Sequence, residues 1–496
     1  MADQIEGQGP AADASPPVDR RSSLYGRATS VGVRATWALG MLILAAITAW
    51  SAYELFRFTR QAVSVHDLTR IAWVGCSVAI AAVLWGVVIW NRGPLRTHPL
   101  ATGLVVVLIA RLIDVAVTPA PLVSDFLRYN DLAVQISQHG PDFAPVPTGY
   151  PMVLGAIYAL LGAHPIYAQL LNCGIAVATA ALVYDTTRRL WDGSAARWAL
   201  WLFALAPAQI LMTGVLATEA PYGLVLMFAL WLAVRLGSGR LASAVAIGAL
   251  LAVSNYVRAT STALIPAVAA LPFVAAIRLR AATAWAAVLV VTFLIVLIPV
   301  AVWNEQQQGQ LSISPSNYGG WSLLTGTDPK NNGQYDADLI AIVGGTPGTA
   351  AFDQRAGQLA IERLRAKPAQ FIGLAIKKFP FMWAMDDYGV SYTFGTEDPT
   401  NPDASAALLL LSQAAYLAIV GLALLGLWRI RSGMQPVVVA SLLILATLVV
   451  VHSFLEIEPR YHAYVVPIFC ILAGPGAASL RVPRRWTRRE QVELTN

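Results

Sequence analysis

One polar loop holds the residues of this chain that are best suited to chemistry. Asp125, Arg128 and Tyr129 lie within the segment 124–129, and a Pro/Gly turn at 147–151 follows, between two apolar stretches. A carboxylate can take a proton from an attacking hydroxyl group, and a guanidinium group can hold an anion. In a chain this apolar, polar residues gathered in one loop indicate the functional face of a membrane protein.

The residues around Asp125 also allow a purely structural role. Apolar residues recur at helical spacing after it, namely Phe126, Tyr129, Leu132, Ala133 and Ile136. This pattern predicts an amphipathic helix that lies on the membrane, with Asp125 in its first turn. A carboxylate at that position could simply cap the helix and complement its dipole. The pattern alone leaves the catalytic and the capping role equally open.

The composition is that of a membrane protein. Of the 496 residues, 57% are hydrophobic and only 12% are charged, and the mean hydropathy is +0.59. A soluble globular protein carries about 25% charged residues. Apolar stretches lie near 36–56, 71–90, 99–118, 165–187, 195–213, 220–236, 241–256, 259–277, 282–303, 404–428, 435–453 and 461–479. Since about 20 apolar residues cross a bilayer, we predict an all-α polytopic membrane protein with about 11–13 transmembrane helices.

Arginine placement orients these spans. Most arginines flank alternate ends of the spans and, with the Arg-rich termini, define one cytoplasmic side. Arg57, Arg60 and Arg70 fall on the opposite side, but they are a single exception. The net charge of +6 is therefore explained by topology, and we predict no nucleic-acid partner.

This orientation divides the chain into five parts. They are a disordered cytoplasmic tail at 1–35, a transmembrane core at 36–303 that includes a first outer loop at 119–164, a large outer loop at 304–403, C-terminal transmembrane helices at 404–480 and a basic cytoplasmic tail at 481–496. We expect both outer loops to carry interfacial helices. The large loop is far longer than a usual connection, which predicts a functional role for it.

Several short motifs follow one another in a recognisable order. They are Arg111, Asp125 with Tyr129, the turn Pro147-Thr148-Gly149-Tyr150-Pro151, Thr218-Glu219, the segment 255–260 with Arg258, the segment 304–333 with Asn317, and Glu458-Pro459-Arg460-Tyr461. Their order and spacing resemble those of GT-C class glycosyltransferases that depend on polyprenyl phosphate. The chain is similar to glycosyltransferase family 39 and to the lipid A aminoarabinose transferases, and a GT-C-like helix bundle is the fold that this resemblance implies.

The resemblance implies an inverting transfer of a sugar from polyprenyl phosphate to an extracytoplasmic glycan, lipid or protein. It assigns Asp125 and Glu219 to catalysis, with Asp125 as the base that takes the acceptor's proton. A phosphate leaving group needs fixed cations, and the candidates are Arg258, Arg460, Lys377 and Lys378. Residues expected to line the site are Arg128, Tyr129, Tyr150, Asn317 and Tyr461. The family also implies a multi-pass protein of the bacterial inner membrane with a periplasmic active site.

Three positions depart from the family's pattern. Thr148 and Ala259 each replace a proline, and Phe126 stands where such proteins often carry a second acid. Because one carboxylate is a poor site for a divalent cation, the residue at Phe126 leaves a metal requirement open. We assign no metal ligand and no cofactor from the sequence.

Each predicted role has a structural alternative. Arg258 and Arg460 could be interfacial arginines whose side chains reach water, and the two adjacent lysines could anchor a helix at the membrane surface. Glu219 could pair with a nearby arginine instead of acting in catalysis. Arg111 and Asp114 have the spacing of neighbours on one helix face and could neutralise each other.

Two other functions are open at this point. A glycan polymerase or ligase that uses a lipid-diphosphate donor would favour several arginines around a large loop, and here the positive charge of that loop is modest. A transporter or flippase would favour paired repeats and ionisable residues in the middle of the membrane. The chain shows no evident repeat, and its acids gather in the outer loops.

Overall fold

The computed structural model describes residues 20–63, 98–118, 122–140, 146–237, 239–395, 402–431 and 433–480. Within these ranges every regular element is a helix. The helices are α1 (Arg20–Val63), α2 (Pro99–Val117), α3 (Ser124–His139), α4 (Gly149–Leu161), α5 (Pro165–Leu190), α6 (Gly193–Ala204), α7 (Pro207–Leu211), α8 (Glu219–Leu236), α9 (Leu241–Val257), α10 (Ser261–Ala269), α11 (Leu271–Val274), α12 (Leu279–Val296), α13 (Ile298–Gln308), α14 (Gly319–Gly326), α15 (Asp338–Val343), α16 (Ala350–Ala366), α17 (Pro368–Trp383), α18 (Tyr388–Phe394), α19 (Pro402–Arg429), α20 (Pro436–Phe454), a 3-10 helix (Pro459–Val465) and α21 (Val466–Ser479).

The described residues confirm an all-α polytopic membrane protein. Eight helical stretches are long and apolar enough to cross a bilayer: Ser30–Gln61, Pro99–Val117, Pro165–Leu190, Glu219–Leu236, Leu279–Val296, Pro402–Arg429, Pro436–Phe454 and Pro459–Ser479. Three shorter apolar stretches, Gly149–Leu161, Leu241–Val257 and Ser261–Val274, accompany them. The span predicted at 71–90 lies outside the described residues.

Prolines divide three of the predicted spans. The stretch 195–213 breaks into α6 and α7 before Pro207, and 259–277 breaks into α10 and α11 before Pro272. The stretch 282–303 breaks in the same way before Pro299, between α12 and α13. Proline has no N–H to donate, and its ring clashes with the preceding turn, so a helix seldom continues through it.

The N-terminal part differs from the prediction in its boundary. Helix α1 begins at Arg20, inside the segment 1–35 that the sequence assigned to a disordered tail. No proline follows Pro17 up to the end of this helix, and its residues include many good helix formers such as Ala, Arg and Leu. The first span is therefore extended by helical residues on its N-terminal side. Residues 1–19 and 481–496 lie outside the described part of the chain.

Helix α21 lies at the centre of the membrane-spanning core and packs closely against α19. Cys470 and Phe469 on α21 are completely buried. Two glycines bring the backbones together: a Cβ at Gly426 would stand 1.9 Å from the carbonyl oxygen of Leu472, and one at Gly476 would stand 2.1 Å from that of Leu422. Small residues allow such close helix packing in membranes, where lipid does not drive helices together.

The two predicted outer loops meet on one side of the molecule, which we call the loop side. Helices α3 and α4 pack together there through a small apolar core that includes Phe126, Tyr150 and Tyr158. A second core, formed by residues such as Trp321 and Phe352, holds α14 against α16. The large loop is thus an ordered, helical part of the protein over its described residues.

The glycine contact between α19 and α21 generates a stability prediction. We expect Gly426→Ala to destabilise the protein by about 1–3 kcal/mol, because the methyl group would overlap the Leu472 carbonyl and push the helices apart. The measurement is the thermal unfolding midpoint of the purified protein in detergent. Gly421→Ala on the same helix is the control, since its nearest atom is the Thr48 methyl group at 3.8 Å. Equal midpoints for the two variants would contradict the packing described.

Candidate active site

Four charged side chains form a continuous chain on the loop side. Arg460 Nη2 donates to Asp125 Oδ2 at 2.6 Å, and Arg460 Nε lies 3.6 Å from Glu219 Oε1. The same Glu219 oxygen accepts a hydrogen bond from Arg258 Nη1 at 2.7 Å. The order Asp125–Arg460–Glu219–Arg258 alternates negative and positive charge. We call this group the charge chain.

Each member of the charge chain stands at the end of a helix. Asp125 is in the first turn of α3 and Glu219 is the first residue of α8, where a negative charge complements the helix dipole. Arg258 directly follows α9, and Arg460 lies in the 3-10 helix before α21. Thr218, which precedes α8, accepts a second hydrogen bond from Arg258 at 3.1 Å. Four separate parts of the chain therefore converge on one site.

Asp125 is the accessible member of the charge chain. Its side chain is 45% exposed, whereas those of Arg460 and Glu219 are 8% and 3% exposed. The N-cap residue of α3 is Val123, whose side chain makes no capping hydrogen bond. The carboxylate of Asp125 instead bonds to Arg460. The carboxylate of Asp125 is therefore held by a buried cation and is accessible to solvent on the loop side.

Aromatic rings surround the two arginines. The Cζ atom of Arg460 lies 5.1 Å from the ring centroid of Phe126, 5.3 Å from that of Tyr392 and 5.6 Å from that of Tyr461. The Cζ atom of Arg258 lies 4.5 Å from the ring of Tyr461. Cations are attracted to the faces of aromatic rings, more strongly when water is excluded. The rings thus fix both guanidinium groups in place and leave their planes little freedom.

Two further carboxyl groups precede the 3-10 helix. Burial raises the pKa of Glu456 to about 7, and the negative charge of Asp125 contributes to the shift. Burial also raises the pKa of Glu458. Thr325 in α14 donates a hydrogen bond to Glu456 Oε2 at 3.1 Å. Both carboxyl groups therefore hold their protons more readily than exposed carboxyl groups do, and they precede Arg460 by four and two residues.

A small cleft between the helices adjoins Glu219. Its polar lining includes Arg111, Asn172 and Gln209. Arg111 is completely buried, and its Nη1 donates to the Val107 carbonyl at 3.3 Å. Glu219 thus links the charge chain to a largely apolar cleft that contains a few polar side chains.

The direct pairing considered for Arg111 and Asp114 is not found. Both side chains are buried on α2. Among the described residues, no carboxylate lies within 4.0 Å of the Arg111 guanidinium group, although the two residues are one helical turn apart.

The structure brings together most of the residues that the sequence singled out. Besides the charge chain, the ring of Tyr461 packs against the guanidinium group of Arg258. Arg128 Nη1 donates a hydrogen bond to the Tyr318 hydroxyl group at 2.8 Å. This bond joins α3 to the start of the large loop. Tyr129 is partly buried on α3. Burial raises its pKa to about 12, and the charges of Asp125 and Arg460 both act on it.

Three predicted residues lie elsewhere. Tyr150 is 1% exposed and donates to Asn172 Oδ1 at 3.1 Å, so it belongs to the packing of α4 and not to the lining of the site. Asn317 Nδ2 donates to Gln308 Oε1 at 2.6 Å and joins two parts of the large loop. Lys377 is exposed on α17.

Lys378 also differs from its predicted role. It is 2% exposed, and its Nζ donates to the carbonyl oxygens of Gly326, Ser453 and Leu455 at 2.8, 2.9 and 2.6 Å. Burial lowers its pKa to about 7. An ammonium group has three hydrogen atoms to donate, and these three bonds use them all. The structure therefore places Lys378 within the protein framework and leaves it no donor for a phosphate.

Sequence reasoning missed several residues around the charge chain. Tyr392 is part of the aromatic enclosure of Arg460, yet it lies in the large loop without a motif of its own. Phe126 was noted as an apolar position of the amphipathic helix and as a departure from a family pattern, but not as a contact of Arg460. Glu456 lies two residues before the motif Glu458-Pro459-Arg460-Tyr461, and Glu458 was noted only as the first residue of that motif.

The arrangement contains no evident metal site. Across the part of the chain that the structure describes, no group of three or more His, Cys, Asp or Glu side chains could hold a metal ion. What the arrangement can do follows from its charges: it holds one accessible carboxylate and two guanidinium groups in a single cluster on the loop side.

The position of Glu219 between two arginines generates a stability prediction. We expect Glu219→Ala to destabilise the protein by about 3–5 kcal/mol, because it leaves the buried guanidinium group of Arg460 and the partly buried one of Arg258 without their shared counter-ion. The measurement is thermal unfolding of the purified protein in detergent. Asp338→Ala, which breaks an exposed pair with Lys330, is the control and should leave the midpoint unchanged. A small effect of both substitutions would mean that Glu219 does not hold the arginines.

Comparison with known proteins finds similarity in structure only. No protein-family model and no curated protein sequence matches the chain. Among solved structures, the apo oligosaccharyltransferase of Archaeoglobus fulgidus is similar with a TM-score of 0.47 and 14% identity, over 77% of this chain and 51% of that chain. Oligosaccharyltransferase AglB from Archaeoglobus fulgidus, in complex with an inhibitory peptide and a dolichol-phosphate, is similar with a TM-score of 0.46 and 15% identity, over 81% and 54% of the two chains.

ArnT from Cupriavidus metallidurans bound to undecaprenyl phosphate is also similar, with a TM-score of 0.36 and 15% identity over 77% of this chain and 78% of that one. This chain spans about half the length of the archaeal oligosaccharyltransferases that it matches. At these TM-scores the similarity indicates nothing about the activity of this protein.

Proposed function

We propose that this protein is an integral-membrane glycosyltransferase that moves a sugar from a polyprenyl-phosphate donor to an acceptor on the loop side. The observation that carries the proposal is the charge chain, in which the accessible carboxylate of Asp125 bonds to the buried Arg460 and Glu219 links Arg460 to the partly buried Arg258. Transfer of a sugar from a phosphate needs a base for the acceptor and cations for the leaving group. The site combines both within one cluster at a membrane surface.

Asp125 is the proposed general base. The acceptor hydroxyl gives its proton to the carboxylate of Asp125 while its oxygen attacks the anomeric carbon of the donor. The bond between that carbon and the phosphate oxygen breaks, and polyprenyl phosphate leaves with the electron pair. Attack from the face opposite the leaving group inverts the anomeric centre. The hydrogen bond from Arg460 to Oδ2 orients the carboxylate toward the open side.

Arg258 and Arg460 are the proposed phosphate ligands. The leaving phosphate gains one negative charge as the bond breaks, and fixed guanidinium groups stabilise charge that develops during the reaction. The aromatic rings around both arginines hold them in place before the donor arrives. Such preorganisation avoids the cost of ordering flexible cations during the reaction.

Glu219 takes a supporting part in this mechanism. The sequence placed it with Asp125 in catalysis, but it is buried and shared by the two arginines. We propose that it fixes their positions and does not exchange a proton with substrate.

The charge balance of the site favours a monophosphate donor. The two guanidinium groups and the two carboxylates of the charge chain cancel, so the site has little excess positive charge. The phosphate of a polyprenyl-phosphate sugar carries one negative charge, whereas the diphosphate of a lipid-diphosphate sugar carries at least two. The diphosphate leaving group is also more negatively charged than the monophosphate leaving group. The lipid-diphosphate polymerase or ligase therefore remains the second candidate.

The proposed surroundings follow from the topology. The partners are the bilayer, a polyprenyl-phosphate-linked sugar and a glycan, lipid or protein acceptor. The arginine-rich ends of the spans support a cytoplasmic location for the opposite side. Together with the family resemblance, this supports our proposal that the loop side lies at the periplasmic face of a bacterial inner membrane.

The role of Asp125 can be tested with an isosteric change. We expect Asp125→Asn to lower sugar transfer at least about a hundredfold, because the amide cannot accept the acceptor's proton at neutral pH. The measurement is transfer or donor hydrolysis by purified protein given a panel of polyprenyl-phosphate sugars. Asp131→Asn, an exposed position on the same helix, is the control and should keep wild-type activity. Full activity of Asp125→Asn would reject the assignment of the base.

The roles of Arg258 and Arg460 can be separated from acceptor binding. We expect Arg258→Ala and Arg460→Ala each to raise the donor KM or lower kcat by about tenfold or more, since charge-assisted hydrogen bonds to phosphate are lost. The acceptor KM should change much less. Steady-state kinetics with each substrate varied in turn measures both, with Arg365→Ala, exposed in the large loop, as the control. A defect confined to the acceptor would count against phosphate binding.

A further inference from the structure

Lys378 joins three separate parts of the loop side. Its ammonium group donates to the carbonyl oxygen of Gly326 at the end of α14, and to those of Ser453 and Leu455 at the end of α20. Its own helix, α17, belongs to the large loop. Burying an ammonium group is costly unless its hydrogen bonds are satisfied. The three hydrogen bonds of Lys378 offset this cost and join α17 to the ends of α14 and α20.

The residues next to these carbonyl groups are held by the large loop as well. The backbone N–H of Glu456 donates to the Ser322 carbonyl at 2.7 Å, and that of Ile457 donates to the Gly333 carbonyl at 3.0 Å. We call residues 455–458 the connecting segment, since they join α20 to the 3-10 helix. Residues 455–457 of this segment are therefore held by hydrogen bonds to the large loop.

Two glycines allow the backbones to approach this closely. A Cβ at Gly326 would stand 2.1 Å from the Leu455 carbonyl carbon. Gly333 has a φ of +77°, and a Cβ there would stand 2.8 Å from Lys378 Cδ. A side chain at either position would displace the connecting segment or the lysine.

Arg460 is the second residue after the connecting segment. It is buried, and its guanidinium group must meet Asp125 on one side and Glu219 on the other. A 3-10 helix begins at Pro459, so the backbone between the connecting segment and Arg460 has little freedom. A shift of the connecting segment would therefore move Arg460 relative to Asp125.

We propose that Lys378 is a positioning residue, which holds the connecting segment so that Arg460 meets Asp125 and the donor phosphate. This inference rests on the proposed function for its catalytic consequence, but its structural part stands alone. It replaces the predicted contact of Lys378 with phosphate by an indirect action through Arg460. The large loop thereby acts as a support for the charge chain.

Hydrogen exchange tests the structural part without any assumption about activity. We expect Lys378→Met to speed deuterium uptake of the backbone amides of Glu456 and Ile457 by about fivefold or more, because their segment opens more often. Lys367→Met, which removes an exposed lysine at the start of α17, is the control and should leave uptake unchanged. Equal uptake in both variants would overturn the inference.

A double-mutant cycle tests the catalytic part. We expect Lys378→Met to lower sugar transfer about tenfold in the wild-type background but less than about twofold in an Arg460→Lys background, since the lysine acts through Arg460. A lysine that only stabilised the fold would lower activity by the same factor in both backgrounds, which would overturn the inference. Gly333→Ala disturbs the same contact from the other side, and serves if Lys378→Met does not fold.

The outcomes separate this inference from the proposed function. If the wild-type protein transfers no sugar from any polyprenyl phosphate, the proposed function fails, while faster amide exchange in Lys378→Met still supports the structural part. If the wild-type protein is active and Lys378→Met retains full activity, the positioning role fails and the proposed function stands.

Discussion

The pairing of buried charges is the constraint on which the loop side depends. Arg460 and Glu219 are nearly inaccessible to water, so each must meet an opposite charge within the protein. Glu219 serves both arginines, and Asp125 completes the series at the surface. Because the four residues come from α3, α8, α9 and the 3-10 helix, pairing them requires these helix ends to meet at one point. The site is thus a property of the whole helix arrangement.

The large loop has a structural part in this arrangement. Its helices supply Tyr392 to the enclosure of Arg460, Thr325 to Glu456, and Lys378 to the end of α20. None of these contacts could be made by a short connection. The length of the loop is explained by the need to support a buried arginine from several sides, in addition to any contact with substrate.

The sequence was informative where chemistry is local and less so where contacts are distant. Asp125, Glu219, Arg258 and Arg460 each stand at a helix end in a short motif, and these motifs were enough to select all four as candidates for one site. Lys378 carries no such sign: whether its ammonium group meets phosphate or three carbonyl groups depends on residues at 326, 453 and 455, which only the fold brings together.

The same distinction holds for the fold. Apolar length predicted the spans, and prolines divided three of them at points that length could not reveal. Tyr150, aromatic and next to a turn, had the appearance of a site residue. Its hydroxyl bonds to Asn172 on another helix, and no pattern within either segment predicts that pair.

Arg111 has a consequence for how this protein enters the membrane. It lies in α2, whose mean hydropathy is 2.3, yet an arginine at the centre of a lone spanning helix costs about 2.5–3.5 kcal/mol on insertion. Its guanidinium group is covered by Phe203, with its Cζ 5.2 Å from the ring centroid. Because Phe203 belongs to α6, it is synthesised well after α2. The enclosure of the Arg111 guanidinium group is therefore complete only after α6 has been synthesised and packed against α2.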